Sequence, residues 1–467
     1  MLLFGFLVTG FHLHGRRLRP NNVMSSSKLN EKFIETNGSE ELFSEFSRAW
    51  RERKPLLARG AVHCPDFDAN AIAGLALEAD VPGRLIRGED KDTEHAPLNE
   101  SVLTQLERSH WTILVNDAEI YLPEAADFSQ KVFTSEWAAP YAWLRDDCML
   151  SVSAPLGGVG PHVDSNDVLL IQCAGRRRWS IESKPVSRLQ EKARLDTTKK
   201  LRCLTEFQAD LSWELDPGDL LFVPARIPHD GIALTSDYDQ FCITCSLGFR
   251  TEHSAQILLE DFVLSQDIVV DENDFSRLLS SIEATSHGTL PPETIEVFRK
   301  GLMTALEARL NDEFSLISFL GQLTTTPRDP TAQQLDDACW QHTLADHLGG
   351  EIVPYTEDSF ENLMKFNNDH FILHHAPGAR FLLAPLSVDT PNESEAILAI
   401  NGRIALRVSK TSRPLADALT DHRKLKGTEL YALLPSSTKG GGRYRQQALD
   451  ILHTLLRSGV LLLIRMI

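Results

Sequence analysis

The stretch GGVGPHVDSND, residues 157–167, is the point from which the rest of this chain is read. It is followed at once by DVLLIQ (167–172) and GRRRW (175–179), and preceded by CMLSVSA (148–154). Further out lie WTILVN (111–116), RWSIES (178–183), LLFVP (220–224) and FCITCSLGF (241–249). These are short alternating or apolar runs divided by Gly and Pro, the pattern of an all-β barrel or double-sheet jelly roll. In LDPGDLLFVP (215–224), Pro217-Gly218 supplies a turn and the next residues a strand.

Within the quoted stretch His162 and Asp164 are two apart, so on a strand their side chains share a face and can grip one ion. HxD alone is common by chance. A third candidate, His229, stands in FVPARIPHDG (222–231), 65 residues after Asp164 and just past another strand. Two imidazoles and one carboxylate take one face of an octahedron and leave three positions open, the facial triad of non-haem Fe(II) oxygenases. Other histidines fit less well. His374 and His375 are adjacent and would diverge on a strand, His342 and His347 are five apart on a helix, and His12 and His14 lie near the N-terminus.

Such an iron centre needs two further electrons, commonly from 2-oxoglutarate, whose far carboxylate requires a cation. An arginine fork matches a carboxylate bidentately. Strand alternation sends Arg177 to one face and Arg176 and Arg178 to the other. An Arg triplet is also what a solvated edge or a nucleic-acid patch looks like, and both readings can hold for different members of it.

Around the β region the pattern is helical. ELFSEFSRAWRER (41–53) and DANAIAGLALEADV (68–81) read as helices on either side of a short strand in PLLARGAV (55–62). After Arg250 the strands stop: Ile295, Phe298, Leu302, Leu306 and Leu310 fall at helical spacing behind Pro291-Pro292, and helices are also expected near 253–266, 273–284 and 312–323. TTTPRDP (324–330) reads as a linker. Beyond it come a helix near 333–348 and a small α+β section, with Asn401-Gly402 between two alternating strands as a hairpin signal. A helix near 444–458 and a final strand close the chain.

The 467 residues predict about three domains, with 42% hydrophobic and 24% charged side chains, ordinary for a globular protein. A net charge of −18 argues against direct nucleic-acid binding and favours basic partners. Seven scattered cysteines suit a reducing compartment; the one CxxC, Cys242 and Cys245, lies in a strand where positions three apart face opposite ways. No stretch reaches the roughly 20 apolar residues of a membrane span. The first thirty residues hold Arg16, Arg17, Arg19 and Lys28 but no acid, which leaves −22 on the remainder. Such a leader fits a transit peptide, a disordered tail, or translation from Met24, and so a cytoplasmic or a mitochondrial protein.

GGVGPHVDSNDVLLIQCAGRRRW (157–179), ELDPGDLLFVPARIPHDG (214–231) and SLGFR (246–250) resemble the JmjC-type ribosomal oxygenases of the cupin superfamily, most nearly the bacterial branch that hydroxylates an arginine of a large-subunit ribosomal protein. The similarity is strong over about 149–250 and looser upstream, in KPLLARGAV (54–62), AGLALEADVPGRLI (73–86) and WTILVND (111–117). The resemblance implies a mixed α/β chain with a double-stranded β-helix, then a helical dimerisation region, then a C-terminal winged-helix domain. The corresponding boundaries are 1–28 for the leader, 29–250 for the oxygenase domain, 251–330 for the dimerisation region and 331–467 for the winged-helix-like domain. It implies Fe(II) held by His162, Asp164 and His229; 2-oxoglutarate as co-substrate with its C5 carboxylate on Arg177; O2 as oxidant; and Met149, Ser151 and Ser153 lining the pocket. It also implies a homodimer acting on a basic ribosomal protein. Asn166 stands where the arginine-hydroxylating members carry an aromatic, and Thr244 where an Asn is common. The rival enzymatic readings are a JmjC histidine hydroxylase or a histone lysine demethylase; from another class, the rival is a non-catalytic cupin with a winged helix.

Overall fold

The computed structural model describes residues 33–37, 41–234, 241–251, 258, 262, 292–326, 338–364, 370–386, 395–435 and 441–466. The leader lies outside them, as do almost all of the helices expected at 253–266 and 273–284 and most of the 324–330 linker. Twelve strands make up the first part: β1 (Ile34–Asn37), β2 (Leu56–Arg59), β3 (Gly83–Arg87), β4 (Asp92–His95), β5 (Trp111–Val115), β6 (Arg145–Ser153), β7 (Asp167–Ala174), β8 (Arg176–Ile181), β9 (Leu211–Leu215), β10 (Leu220–Val223), β11 (His229–Leu234) and β12 (Cys242–Phe249). They form a nine-stranded sheet, β1-β2-β10-β7-β12-β6-β5-β3-β4, and a three-stranded sheet, β11-β8-β9.

The strands sort their residues by alternation. Leu57, Leu170, Leu221 and Val223 of the large sheet pack against Trp179, Ile181, Leu211 and Leu215 of the small one, filling the space between the two sheets. The opposite face of the large sheet carries Leu150, Val152, Leu169, Ile171, Phe222 and Leu247, covered by the helices Leu42–Glu52 and Pro123–Phe133 through Phe46, Phe128 and Phe133. Thus β7 is apolar on both faces, as its DVLLIQ run requires. Gly218 sits at φ +92° behind Pro217, the left-handed position that a type II turn demands, and β10 starts two residues later.

The helices Pro292–Leu310 and Glu313–Thr325 follow. The second of them lies on the three-stranded sheet β15-β16-β17 (Phe381–Pro385, Ala396–Ile400, Ile404–Val408), so closely that a Cβ on Gly321 would meet Ala399 at 2.6 Å. Beside it stands a four-stranded sheet, β13-β19-β14-β18, of β13 (Gly350–Val353), β14 (Phe371–His375), β18 (Lys424–Lys426) and β19 (Leu461–Met466). The hairpin at 401–403 forms as the sequence indicates, with Asn401 and Gly402 both at positive φ.

Candidate metal centre

Segment 156–162 runs back along β11 and is held there by the backbone. Leu156 N–H donates to the Ala233 carbonyl at 3.0 Å, Ala233 N–H to Gly157 at 2.9 Å, and His162 and His229 exchange both of their backbone hydrogen bonds at 3.0 Å. This approach needs glycine: a Cβ on Gly158 would lie 2.3 Å from the Gly231 carbonyl oxygen, and one on Gly157 2.1 Å from that of Trp111. The reciprocal pairing places the two imidazoles side by side, ring centroids 4.3 Å apart.

Each imidazole is oriented by its own backbone. His162 Nδ1 lies 2.9 Å from the Gly160 carbonyl and His229 Nδ1 2.9 Å from that of Ile227. With Nδ1–H donated to these carbonyls, Nε2 of each neutral ring is the atom that would take a metal. Asp164 faces both, Oδ1 3.7 Å from His162 Nε2 and Oδ2 3.4 Å from His229 Nε2. The three ligand atoms lie within 4.8 Å of one another, and this is the one such cluster of His, Cys, Asp and Glu among the described residues. Burial and the neighbouring His229 hold His162 below its ordinary pKa, so it is neutral at pH 7; for His229, burial works the same way but contact with Asp164 outweighs it and raises the value.

Behind the cluster, Asp167 fixes the two ligand-bearing loops to each other. Its buried carboxylate accepts from Ala225 N–H at 2.6 Å and is gripped by the Arg53 fork, 2.7 Å from Nη1 to Oδ2, while Arg226 N–H donates to the Asp164 carbonyl at 2.9 Å. The sequence motif ended on Asp167 without assigning it this work, and nothing marks Arg53, 114 residues earlier, as its partner.

Arg177 follows the alternation expected of it. It is 2% exposed, whereas Arg176 and Arg178 turn outward to Glu214. Its Nη2 donates to Ser153 Oγ at 2.7 Å, its Nη1 reaches the Gly231 carbonyl at 3.4 Å, its Nε has no hydrogen-bond partner, and its guanidinium stands 5.7 Å from the Trp179 ring centroid. Ser153 passes the contact on to Thr112 Oγ1 at 2.9 Å, a residue that the sequence did not single out. Ser151, on the same face of β6, gives its hydroxyl to the Thr244 carbonyl at 3.3 Å, and Met149 is partly buried beyond it. Buried among a hydroxyl, a carbonyl and an aromatic ring, the guanidinium has no carboxylate in ion-pair contact, Asp230 acting on it only from further off, and a ligand carboxylate would offset that cost.

The remaining candidates have structural roles. Cys242 and Cys245 diverge: Cys245 Sγ meets Cys148 Sγ at 3.5 Å, and Cys242 receives a hydrogen bond from Gln172. His374 Nδ1 lies 2.7 Å from the His375 carbonyl, and His375 Nε2 2.8 Å from that of Leu419. Asn166 Nδ2 donates to Asp146 at 3.0 Å, and Thr244 Oγ1 to Gln172 at 3.0 Å.

Comparison with known proteins agrees with this arrangement. Residues 133–257 match the JmjC domain. The chain is 28% identical over 339 residues to the ribosomal protein uL16 3-hydroxylase of Escherichia coli, covering 69% of this chain and 84% of that protein. It is also 28% identical over 273 residues to a probable ribosomal oxygenase of Haemophilus influenzae, covering 56% of this chain and 63% of that protein. An X-ray structure of E. coli YcfD superposes with a TM-score of 0.62 at 20% identity, over 89% of this chain and 97% of that one. The structure of the same ribosomal oxygenase in complex with cobalt and 2-oxoglutarate gives a TM-score of 0.60 at 22% identity, over 88% and 94%. The family match places a JmjC domain at 133–257, and the superpositions show that the chain shares the fold of these structures.

Proposed function

Taking the JmjC domain at 133–257 as premise, we propose that this chain is an Fe(II)- and 2-oxoglutarate-dependent dioxygenase that hydroxylates a protein, its target an arginine of a large-subunit ribosomal protein. The carrying observation is the nearness of two incomplete sites along β11 and β8: three convergent ligand atoms around His229, and a buried arginine with no carboxylate in ion-pair contact. His229 lies opposite Ile181 and Arg177 opposite Ala233, so the two are four residues apart along the ladder, roughly 14 Å between their Cα positions. The long side chains share that interval with a five-carbon dicarboxylate.

In this reading His162, Asp164 and His229 hold the metal, and Arg177, kept in place by Ser153, binds the far carboxylate of the co-substrate. When bound, Fe(II) with 2-oxoglutarate and O2 supplies oxidation of an unactivated C–H bond, releasing succinate and CO2. The chain itself contributes position. Nδ1–H donation fixes both imidazoles, Asp167 fixes the loops that bear the ligands, and the apolar layer around Trp179 and Ile181 keeps water from the buried guanidinium. A ribosomal-protein substrate is supported by the named relatives, and a basic one by the −18 net charge. A homodimer is supported by the exposed apolar residues Ile295, Leu302 and Met303 on the helix Pro292–Leu310, within the 251–330 region, and 331–467 is read as the winged-helix-like domain.

Succinate formation from 2-oxoglutarate with Fe(II) tests the chemistry: wild type is expected to turn over and His162→Ala to fall to background. Equal succinate from both proteins would overturn the triad assignment. Intact masses of ribosomal proteins, from cells with and without the gene, test the substrate. If no ribosomal protein loses an oxygen atom's mass, the ribosomal reading fails while the chemistry stands. For the dimer, a Leu302→Glu/Met303→Glu variant should scatter light as a monomer; an unchanged dimer places the interface elsewhere.

A further inference from the structure

Where the JmjC-bearing part meets the C-terminal part, the chain gathers a second set of charges that the reaction above does not use. Glu119, Gln130, Arg145 and Asp146 from the first part, with Arg380 and Arg423 from the second, wall a cavity of about 20 Å³. Arg380 is 5% exposed; its Nη2 donates to the Asp146 carbonyl and lies 3.6 Å from Glu119 Oε1, and its Nη1 is buried without a hydrogen-bond partner. Arg145 Nη1 donates to Gln130 Oε1 at 3.1 Å, and Gln130 Nε2 in turn to the Thr420 carbonyl at 3.1 Å. Arg250 meets Asp146 Oδ1 through Nε at 2.9 Å, leaving a buried Nη2 without a partner, and Arg423 meets Asp127 at 3.3 Å.

Along the wall of the cavity, cations outnumber acids three to two. The cavity wall itself carries the guanidinium groups of Arg145, Arg380 and Arg423 against the carboxyl groups of Glu119 and Asp146, while Arg250 and the acids Asp117, Asp127 and Asp147 stand behind it. Burial, opposed by Arg380 but helped by Asp117 and Asp147, pushes Glu119 up to about 7, so at neutral pH it supplies only part of a charge. Burial, Arg380, Arg423 and Arg250 push Arg145 down to about 9, which leaves it charged at pH 7. The buried groups lining the cavity without a hydrogen-bond partner are cationic N–H donors, Arg380 Nη1 and Arg423 Nε, the latter with only its ion pair to Asp127, and such a site favours an acceptor with no protons of its own to place.

We propose that this interdomain cavity binds one monatomic anion of the chloride type, which satisfies Arg380 and fastens the C-terminal part to the JmjC-bearing part. Size admits the class: a water-sized particle needs roughly 10–15 Å³, and the 20 Å³ here has room for one small ion. The inference does not depend on the reaction proposed above.

The full-length protein, exchanged into sodium gluconate, is titrated with sodium chloride at constant ionic strength and its melting temperature followed. A rise of about 2–4 °C is expected as chloride saturates the site, with no comparable rise in sulfate and a flat response in Arg380→Met. Crystals soaked in bromide should show an anomalous peak beside Arg380 and Arg145. A melt indifferent to chloride, an equal rise with sulfate, or a bromide map with no peak in the cavity overturns the proposal. Should Arg380→Met fail to fold, the wild-type melts and the bromide map still decide it.

Discussion

At the scale of single residues, Arg177 was legible because a strand has period two: in an Arg triplet only the middle member could face opposite to its neighbours, and it does. What the sequence left hidden is how that arginine is held. Ser153, expected as a co-substrate contact, accepts from Arg177 Nη2 and pairs with Thr112 Oγ1, which sits 41 residues earlier in a strand that reads as plain core. Arg177→Lys keeps the charge and loses the fork. On the proposed function, the KM for 2-oxoglutarate should rise about 10–100-fold, the worth of one charge-assisted hydrogen bond, while metal affinity stays unchanged. Steady-state succinate formation and a metal titration check this together; an unchanged KM would remove Arg177 from the co-substrate site. Ser153→Ala should have the same direction at about a fifth to a tenth of the size, since it loosens the guanidinium without removing it.

At the scale of elements, turn chemistry was readable wherever a backbone angle demanded a residue type, as at Pro217-Gly218 and Asn401-Gly402. The glycines ahead of the HxD carry a different requirement that local sequence does not display. Gly157 and Gly158 are needed because Trp111 and Gly231, from distant strands, approach their α-carbons too closely for any side chain. Gly158→Ala must therefore push segment 156–162 away from β11 and break the reciprocal His162–His229 pairing. Its Co(II) affinity should fall about 10–100-fold, as for loss of an orienting contact, with far-UV circular dichroism close to wild type. A variant that binds cobalt like wild type would show that the bridge does not orient the ligands. Gly231→Ala offers a second check, because its Cβ would meet the Trp179 ring at 2.6 Å and disturb the same face from the other side.

At the scale of the whole molecule, the order of β-rich and helical regions could be read, but how the parts dock could not. The contacts that join them, Asp127 to Arg423, Asp146 to Arg380 and Gln130 to Thr420, pair residues hundreds of positions apart with no pattern to announce them. Docking buries ionisable groups, and so it sets how stability depends on pH. Burial, then Arg423, lower His374 to about 4, so the folded chain refuses a proton that the unfolded chain accepts near 6.5. Stability from this group is present above pH 6.5 and is lost as pH falls through 4. Glu119, raised to about 7 chiefly by burial, works in the opposite sense: stability is greatest below its ordinary value of 4.5 and is lost as pH rises through 7. Each shift corresponds to roughly 3 kcal/mol at most. Between pH 4.5 and 6.5 the slopes of His374 and Glu119 offset each other, but burial also holds the neighbouring His375 well below its ordinary value, so these three groups together should make stability rise with pH there. Glu119→Gln keeps an acceptor for Cys148 N–H, which lies 3.0 Å from Oε2, and cannot ionise. It should melt with wild type at or below pH 4.5 and progressively above it as pH rises from 4.5 to 7, the gap levelling off beyond pH 7. Melting temperatures of both proteins across that range decide the point: a difference that does not change with pH would mean that Glu119 is not the group that titrates at this interface.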